Sequence, residues 1–259
     1  VVARGWRRNE RATPRAAWRA STRALVREGE RSRASWLAAH GGGLAALAFF
    51  AVGLATLADH GITWDEGESY RAGAQNLRLI AAALADRPLP RWPWHELPGY
   101  QFAADALRAG LAAAVNRVFW EPGSYLGFHL FNLLAATLAV WLVARIAARE
   151  GATRPAQGRA PAAVHGAGAE IDPRVLAPLA VLLLVLHPKL VAHSQANPKD
   201  VVGVLVWAAA MLALSRAVQR VGWRDFALLG LASGAALASH VSGVLLAPLA
   251  LAWTAAAGD

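Results

Sequence analysis

The chain has 259 residues, of which 56% are hydrophobic and 17% charged, with a formal net charge of +9 and no cysteine. Soluble domains run at roughly 45–50% apolar and about 25% charged residues, so the composition excludes an ordinary water-soluble globule and indicates a membrane protein. Without cysteine there are no disulfides and no thiolate metal sites. The positive charge is spread over segments that flank apolar runs, which argues against a nucleic-acid surface.

The first segment, residues 1–35, is arginine-rich and carries Trp6 and Trp18. It reads as a basic cytoplasmic arm able to lie on a membrane surface. Its basic stretch is too long for a cleaved signal peptide, and no small-residue cleavage site follows. Trp36–Ala58 is an apolar run long enough to span, since a bilayer core of about 30 Å needs about 20 helical residues. Asp59–Pro122 is polar and aromatic. Within it, Glu68–Ala85 and Tyr100–Val118 show apolar residues at three-to-four spacing and read as amphipathic surface helices. The stretch "RPLPRWPWHELPGY" separates them, with Trp92 and Trp94 placed for the headgroup level. Ser124–Ala148 is the second expected span, and the Gly/Pro/Ala-rich Arg149–Arg174 is a loop. Val175–Val191, Val201–Leu214 and Phe226–Thr254 are the third to fifth, the last with a break expected near Ser239–Ser242. The expected fold is therefore all-α and polytopic, with about five transmembrane helices plus external amphipathic surface helices.

Charge sets the expected orientation. Basic residues outnumber acidic ones ten to three in 1–35, but six face eight in 59–122; the count returns to five against three in 145–174. The basic excess places the N-terminus in the cytoplasm. Two polar segments then fall together on the external face: "TWDEGESY" (Thr63–Tyr70) and "HPKLVAHSQANPKD" (His187–Asp200).

Both segments carry more hydrogen-bonding and charged groups than a turn requires. Asp65 and Glu66 are adjacent, and on a helix they point about 100° apart. They read either as first-turn helix caps or as carboxylates reaching one site, where a partly buried acid serves as general base or metal ligand. In the second segment Lys199, Asn197 and His193 make a cradle suited to a phosphate. Pro198 suits a first-turn position, and Asp200 reads as a cap. His40, His60, His129 and His240 read as buried or interfacial singles. His187 with His193 makes a weak metal motif, because no fixed ligand spacing recurs.

"GITWDEGESYRAGAQN" and "HPKLVAHSQANPKDVVG", in this order and topology, resemble a bacterial branch of the GT-C membrane glycosyltransferases. These are the family 39, protein-mannosyltransferase-like enzymes, a group that includes the aminoarabinose transferase of lipid A. "FHLFNLLAATLAVWLVARIAAR" and "GLASGAALASHVSGVLLAPLALAW" extend the resemblance over roughly residues 45–255. It implies a GT-C-like transmembrane domain over 36–259 with its external loop at 59–122. It further implies inverting transfer of a sugar from a polyprenyl-phosphate-linked donor to an acceptor on the external face of the plasma (inner) membrane. By the same resemblance Asp65 is the catalytic base or metal contact, with Glu66 beside it and a divalent cation (Mg or Mn) as the candidate cofactor. Lys199, Asn197, His193 and Tyr70 are the expected substrate-binding residues. At the last span the family often carries a lysine where this chain has His240. Family members also continue through further spans, so a front portion of a longer protein is expected. The partners expected are the lipid-linked donor and the membrane, not nucleic acid; the acceptor is unassigned. Two rivals stand beside this reading. A transporter or flippase-like protein would place charges inside its spans, whereas here they gather at span ends. An inactive truncated membrane protein would have no use for the acid and lysine motifs.

Overall fold

The structure, a computed structural model, describes residue 36 and residues 40–63, 66–89, 101–121, 123–153 and 173–258. The basic arm, Trp64, Asp65, the tryptophans of the proline-rich stretch and the 154–172 loop lie outside the described residues. No strand occurs among the described residues. The helices are α1 (His40–Ala55), α2 (Glu66–Leu84), α3 (Phe102–Phe119), α4 (Leu126–Thr153) and α5 (Pro173–Val185). They continue as α6 (Pro188–Ala196), α7 (Pro198–Arg220), α8 (Trp223–Ser239) and α9 (Leu246–Gly258), with a short 3₁₀ turn, Val241–Leu245, before the last.

Helix α4 is the hub. Its small side chains, including Ala136 and Ala139 at full burial, let neighbours approach closely, as packing between membrane helices favours. Helix α1 runs antiparallel to it: Gly42 lies against Ala144, and Gly53 against Leu133. Helix α7 runs parallel to it, with Val201 among Ala135 and Ala136, and Leu212 on Leu142. Near the far end the Ser215 hydroxyl donates to Glu150 Oε1 at 2.6 Å. Helices α2 and α3 pair with each other and cover the end of the bundle where α4 begins. Gly73 makes that pairing close, because a Cβ there would stand 2.5 Å from the Asp105 carbonyl oxygen.

Leu126–Glu150 and Pro198–Arg220 are each long and apolar enough to cross a membrane. At 1.5 Å per residue they extend about 38 and 35 Å, beyond the roughly 30 Å hydrocarbon core. The third expected span is broken. Val175–Val185 and Pro188–Ala196 meet at 61°. Proline at 188 has no N–H and disfavours the helical region for the residue before it, and His187 is extended (ψ 114°). The fourth expected span is longer than the apolar run, because Asn197 caps it: its Oδ1 accepts from the Lys199 and Asp200 amides at 3.1 and 3.2 Å. The break expected near Ser239–Ser242 is present and goes further than a tilt. Gly243 packs onto the Ala236 backbone. Beyond it, Ala250 and Thr254 of α9 line one cavity with Ala217 and Val221 of α7 and Phe226 of α8. Helix α9 therefore turns back alongside α8 instead of extending it.

Candidate functional site

The two polar segments meet at one end of the bundle. The Thr63 hydroxyl donates to the Ala196 carbonyl at 3.3 Å, across 133 residues of sequence. Glu66 opens α2 and is fully buried. Its Oε2 accepts from the Thr63 amide at 2.6 Å, the acid half of a capping box, while the Glu66 amide donates to the Thr63 carbonyl at 3.2 Å. Its Oε1 faces the Tyr70 hydroxyl at 2.9 Å and His129 Nε2 at 3.1 Å, each of which donates to it. Burial, followed by the charge and hydrogen bond of Glu66, pushes the Tyr70 phenol up from its ordinary value. The Tyr70 ring stacks on Phe128 with centroids 3.8 Å apart, and the Arg108 guanidinium lies 5.6 Å from the Tyr70 centroid. Glu66 and Tyr70 thus brace α2 against α4, while Asp65 lies outside the described residues.

Beside this brace, Arg108 Nη2 donates to Asp105 Oδ1 at 3.0 Å, and both side chains are buried. Burial raises the Asp105 carboxyl above the ordinary range, against the opposing pull of Arg108 and Lys199. Lys199 is therefore close to the α3 side of the site. Gln101 fixes that arrangement: its Nε2 donates to the Lys199 carbonyl at 3.0 Å and to the Ser239 carbonyl at 2.7 Å, joining the starts of α3 and α7 to the end of α8.

His193 belongs to a different face of the same junction. Its Nδ1 is 2.8 Å from Asp200 Oδ2, and the other oxygen, Oδ1, is 4.0 Å from His240 Nε2. These three line a groove of about 580 Å³ whose walls are mostly apolar, among them Leu184, Val204, Trp207 and Met211. Lys189 lines this groove; Lys199 does not. The expected phosphate cradle is thus divided by the α6–α7 junction. Lys199 lies toward α3, His193 lines the groove, and Asn197 sits between them as the cap of α7.

Among the described residues no group of three His, Asp or Glu side chains is placed to hold a metal ion. The expected divalent ion was assigned to Asp65, outside those residues. Sequence reading missed His129, Arg108, Asp200 and His240 as members of one polar end. His129 meets Glu66 from 63 residues away, and His240 approaches Asp200 only through the reversal after α8, so local spacing carries no trace of either; Arg108 with Asp105 and Asp200 with His193 are near in sequence, at spacings common on any helix surface.

Residues 167–258 match the family model of the dolichyl-phosphate-mannose-protein mannosyltransferases. The matched segment takes in α5 to α9, hence His193, Lys199, Asp200 and His240, and stops short of α1 to α4 with Glu66 and Tyr70. No curated protein and no solved structure matched the chain.

Proposed function

We propose that this chain is a membrane glycosyltransferase of the GT-C kind, working on a sugar carried by a polyprenyl phosphate. The observation that carries the reading is the Thr63–Ala196 contact. It joins the acid-bearing loop to the segment inside the family match. The groove beside His193 is walled mostly by apolar side chains and also lined by Lys189, His193 and His240, which suits an isoprenoid chain ending in a phosphate.

Asp65 takes the proton of the acceptor hydroxyl as that oxygen attacks the anomeric carbon from the face opposite the phosphate. The bond from that carbon to the phosphate oxygen breaks, and its electron pair leaves on the phosphate. His193, which lines the groove, stabilises the charge that develops there, and Lys199, on the α3 side of the α7 start, adds positive charge from a greater distance. Glu66 and Tyr70 hold the α2 start so that the acid loop keeps its place. The chemistry is external, at the plasma membrane, with the N-terminus cytoplasmic.

The test uses the protein in liposomes with a polyprenyl-phosphate sugar donor. Asp65→Asn keeps the shape and removes the proton-accepting charge, so transfer should fall by about 10²–10⁴-fold with insertion unchanged. Lys199→Ala should weaken donor binding as well as rate. Near-normal transfer by Asp65→Asn would reduce the acid loop to a helix cap, where asparagine serves as well.

A further inference from the structure

Asp200 occupies the first turn of α7, where an acidic residue is usually read as a cap. Here Asn197 does that work, accepting from both the Lys199 and Asp200 amides. The Asp200 carboxylate is left to interact sideways, with Asn197 Nδ2 at 3.4 Å, His193 Nδ1 at 2.8 Å and His240 Nε2 at 4.0 Å.

Two obligate donors fix the direction of this chain of contacts. The Trp207 indole N–H donates to Ser242 Oγ at 3.1 Å. The Ser242 backbone N–H donates to His240 Nδ1 at 3.2 Å, and the Ser242 hydroxyl, 2.8 Å away, has the same nitrogen as its acceptor. A nitrogen that accepts in this way carries no proton, so the His240 proton is on Nε2, the nitrogen nearer Asp200 but, at 4.0 Å, beyond hydrogen-bond reach. His193, at 2.8 Å, is within reach and donates to Asp200 through Nδ1. Its remaining nitrogen, Nε2, is then available to the groove, and in the imidazolium form it is a second donor.

We infer that Asp200 is a positioning residue that holds His193 with Nδ1–H inward and Nε2 toward the groove, where it meets the phosphate of an isoprenoid amphiphile. The ligand class rests on the function proposed above, while the positioning role rests on the contacts alone. Among the described residues, the titratable and charged groups that line the groove are His187, Lys189, His193, Asp200 and His240. The groove-lining residues of α4, Val143 and Ile146, add no charge.

Farnesyl phosphate, farnesol and inorganic phosphate serve as probes with the full chain in detergent, together with ¹⁵N spectra of its histidines. His193→Gln identifies the His193 signals. The wild type should show His193 protonated at Nδ1 and should bind farnesyl phosphate at least about tenfold more tightly than farnesol or inorganic phosphate. Asp200→Asn should abolish the Nδ1–H form and the preference for phosphate while leaving farnesol binding unchanged. A merely structural role would lower farnesol and farnesyl phosphate binding together. Equal binding of farnesol and farnesyl phosphate by the wild type would overturn the inference, as would an Asp200→Asn protein with tautomer and preference intact. Inorganic phosphate binding as tightly as farnesyl phosphate would overturn the amphiphile as ligand. If Asp200→Asn does not fold, Asp200→Glu replaces it: a diminished preference supports the role and an unchanged one refutes it. Sugar transfer is absent from these readouts, so loss of the transferase reading would leave a phosphate preference that depends on Asp200 standing.

Discussion

Glu66 shows how a motif residue divides its duties. Both of its oxygens are occupied, by the Thr63 amide on one side and by Tyr70 and His129 on the other, so its charge is satisfied within the fold. A buried carboxylate held by three donors is fixed in place and well suited to anchoring a helix start. Asp105 is the opposite case. Burial outweighs Arg108 and Lys199 and raises its carboxyl above the ordinary range. The folded protein therefore holds that proton more firmly than the unfolded chain, whose aspartates titrate near 3.9. The stabilisation is complete below that value and is lost as pH rises through the raised folded value. Thermal unfolding followed from acid to neutral pH should show this decline in the wild type and a shallower one in Asp105→Asn. An identical slope in both proteins would remove Asp105 as its source. Paired acids could be read from the sequence as functional candidates; which of them is buried could not, because His129 supplies a contact from 63 residues away.

At the scale of elements, two positions carry opposite predictions. Gly73 lets α2 approach α3, and a Cβ there would meet the Asp105 carbonyl and the Ala109 side chain. Gly73→Ala should destabilise the protein by about 1–3 kcal/mol, the usual cost of overpacking. By contrast a Cβ at Gly67, in the same helix, would meet nothing within 4 Å, so Gly67→Ala is the control. Val221 closes α7 in the left-handed region, φ 50° and ψ 36°, and is exposed. A β-branched residue is poorly suited to that conformation, and glycine is the common choice there. Val221→Gly should stabilise by about 1 kcal/mol, read from unfolding in the same detergent. Most helix positions were legible from apolar periodicity and length. The α5–α6 bend was not, because the expected span was carried through His187–Lys189 to Val191 to reach spanning length, although the His187–Pro188 pair is a local signal for it. The reversal after Ser239 was partly legible: Ser239–Ser242 marked the break, and its direction comes from packing, with Gly243 on Ala236 and the end of α9 beside the start of α8.

For the whole molecule, that reversal changes the topology. A single span over Phe226–Thr254 would leave Thr254 across the membrane from Val221, whereas the shared cavity puts them on one side. The native chain has no cysteine, so single cysteines at 221 and 254 can be compared directly. Both should react with an impermeant reagent from the same side of sealed vesicles, and reaction from opposite sides would restore the continuous span. The bend between α5 and α6 has a consequence of another kind. The 13 residues of α5 rise only about 20 Å, short of a hydrocarbon core of about 30 Å. The oblique α6 adds only about 7 Å more along the α5 axis, so α5 and α6 together fall a few ångströms short of the core that α7 crosses alone. Hydrophobic mismatch of this kind is relieved by thinning the bilayer locally. Lipids with longer acyl chains resist that thinning, so the thickness of the surrounding membrane sets how easily water and headgroups reach the junction.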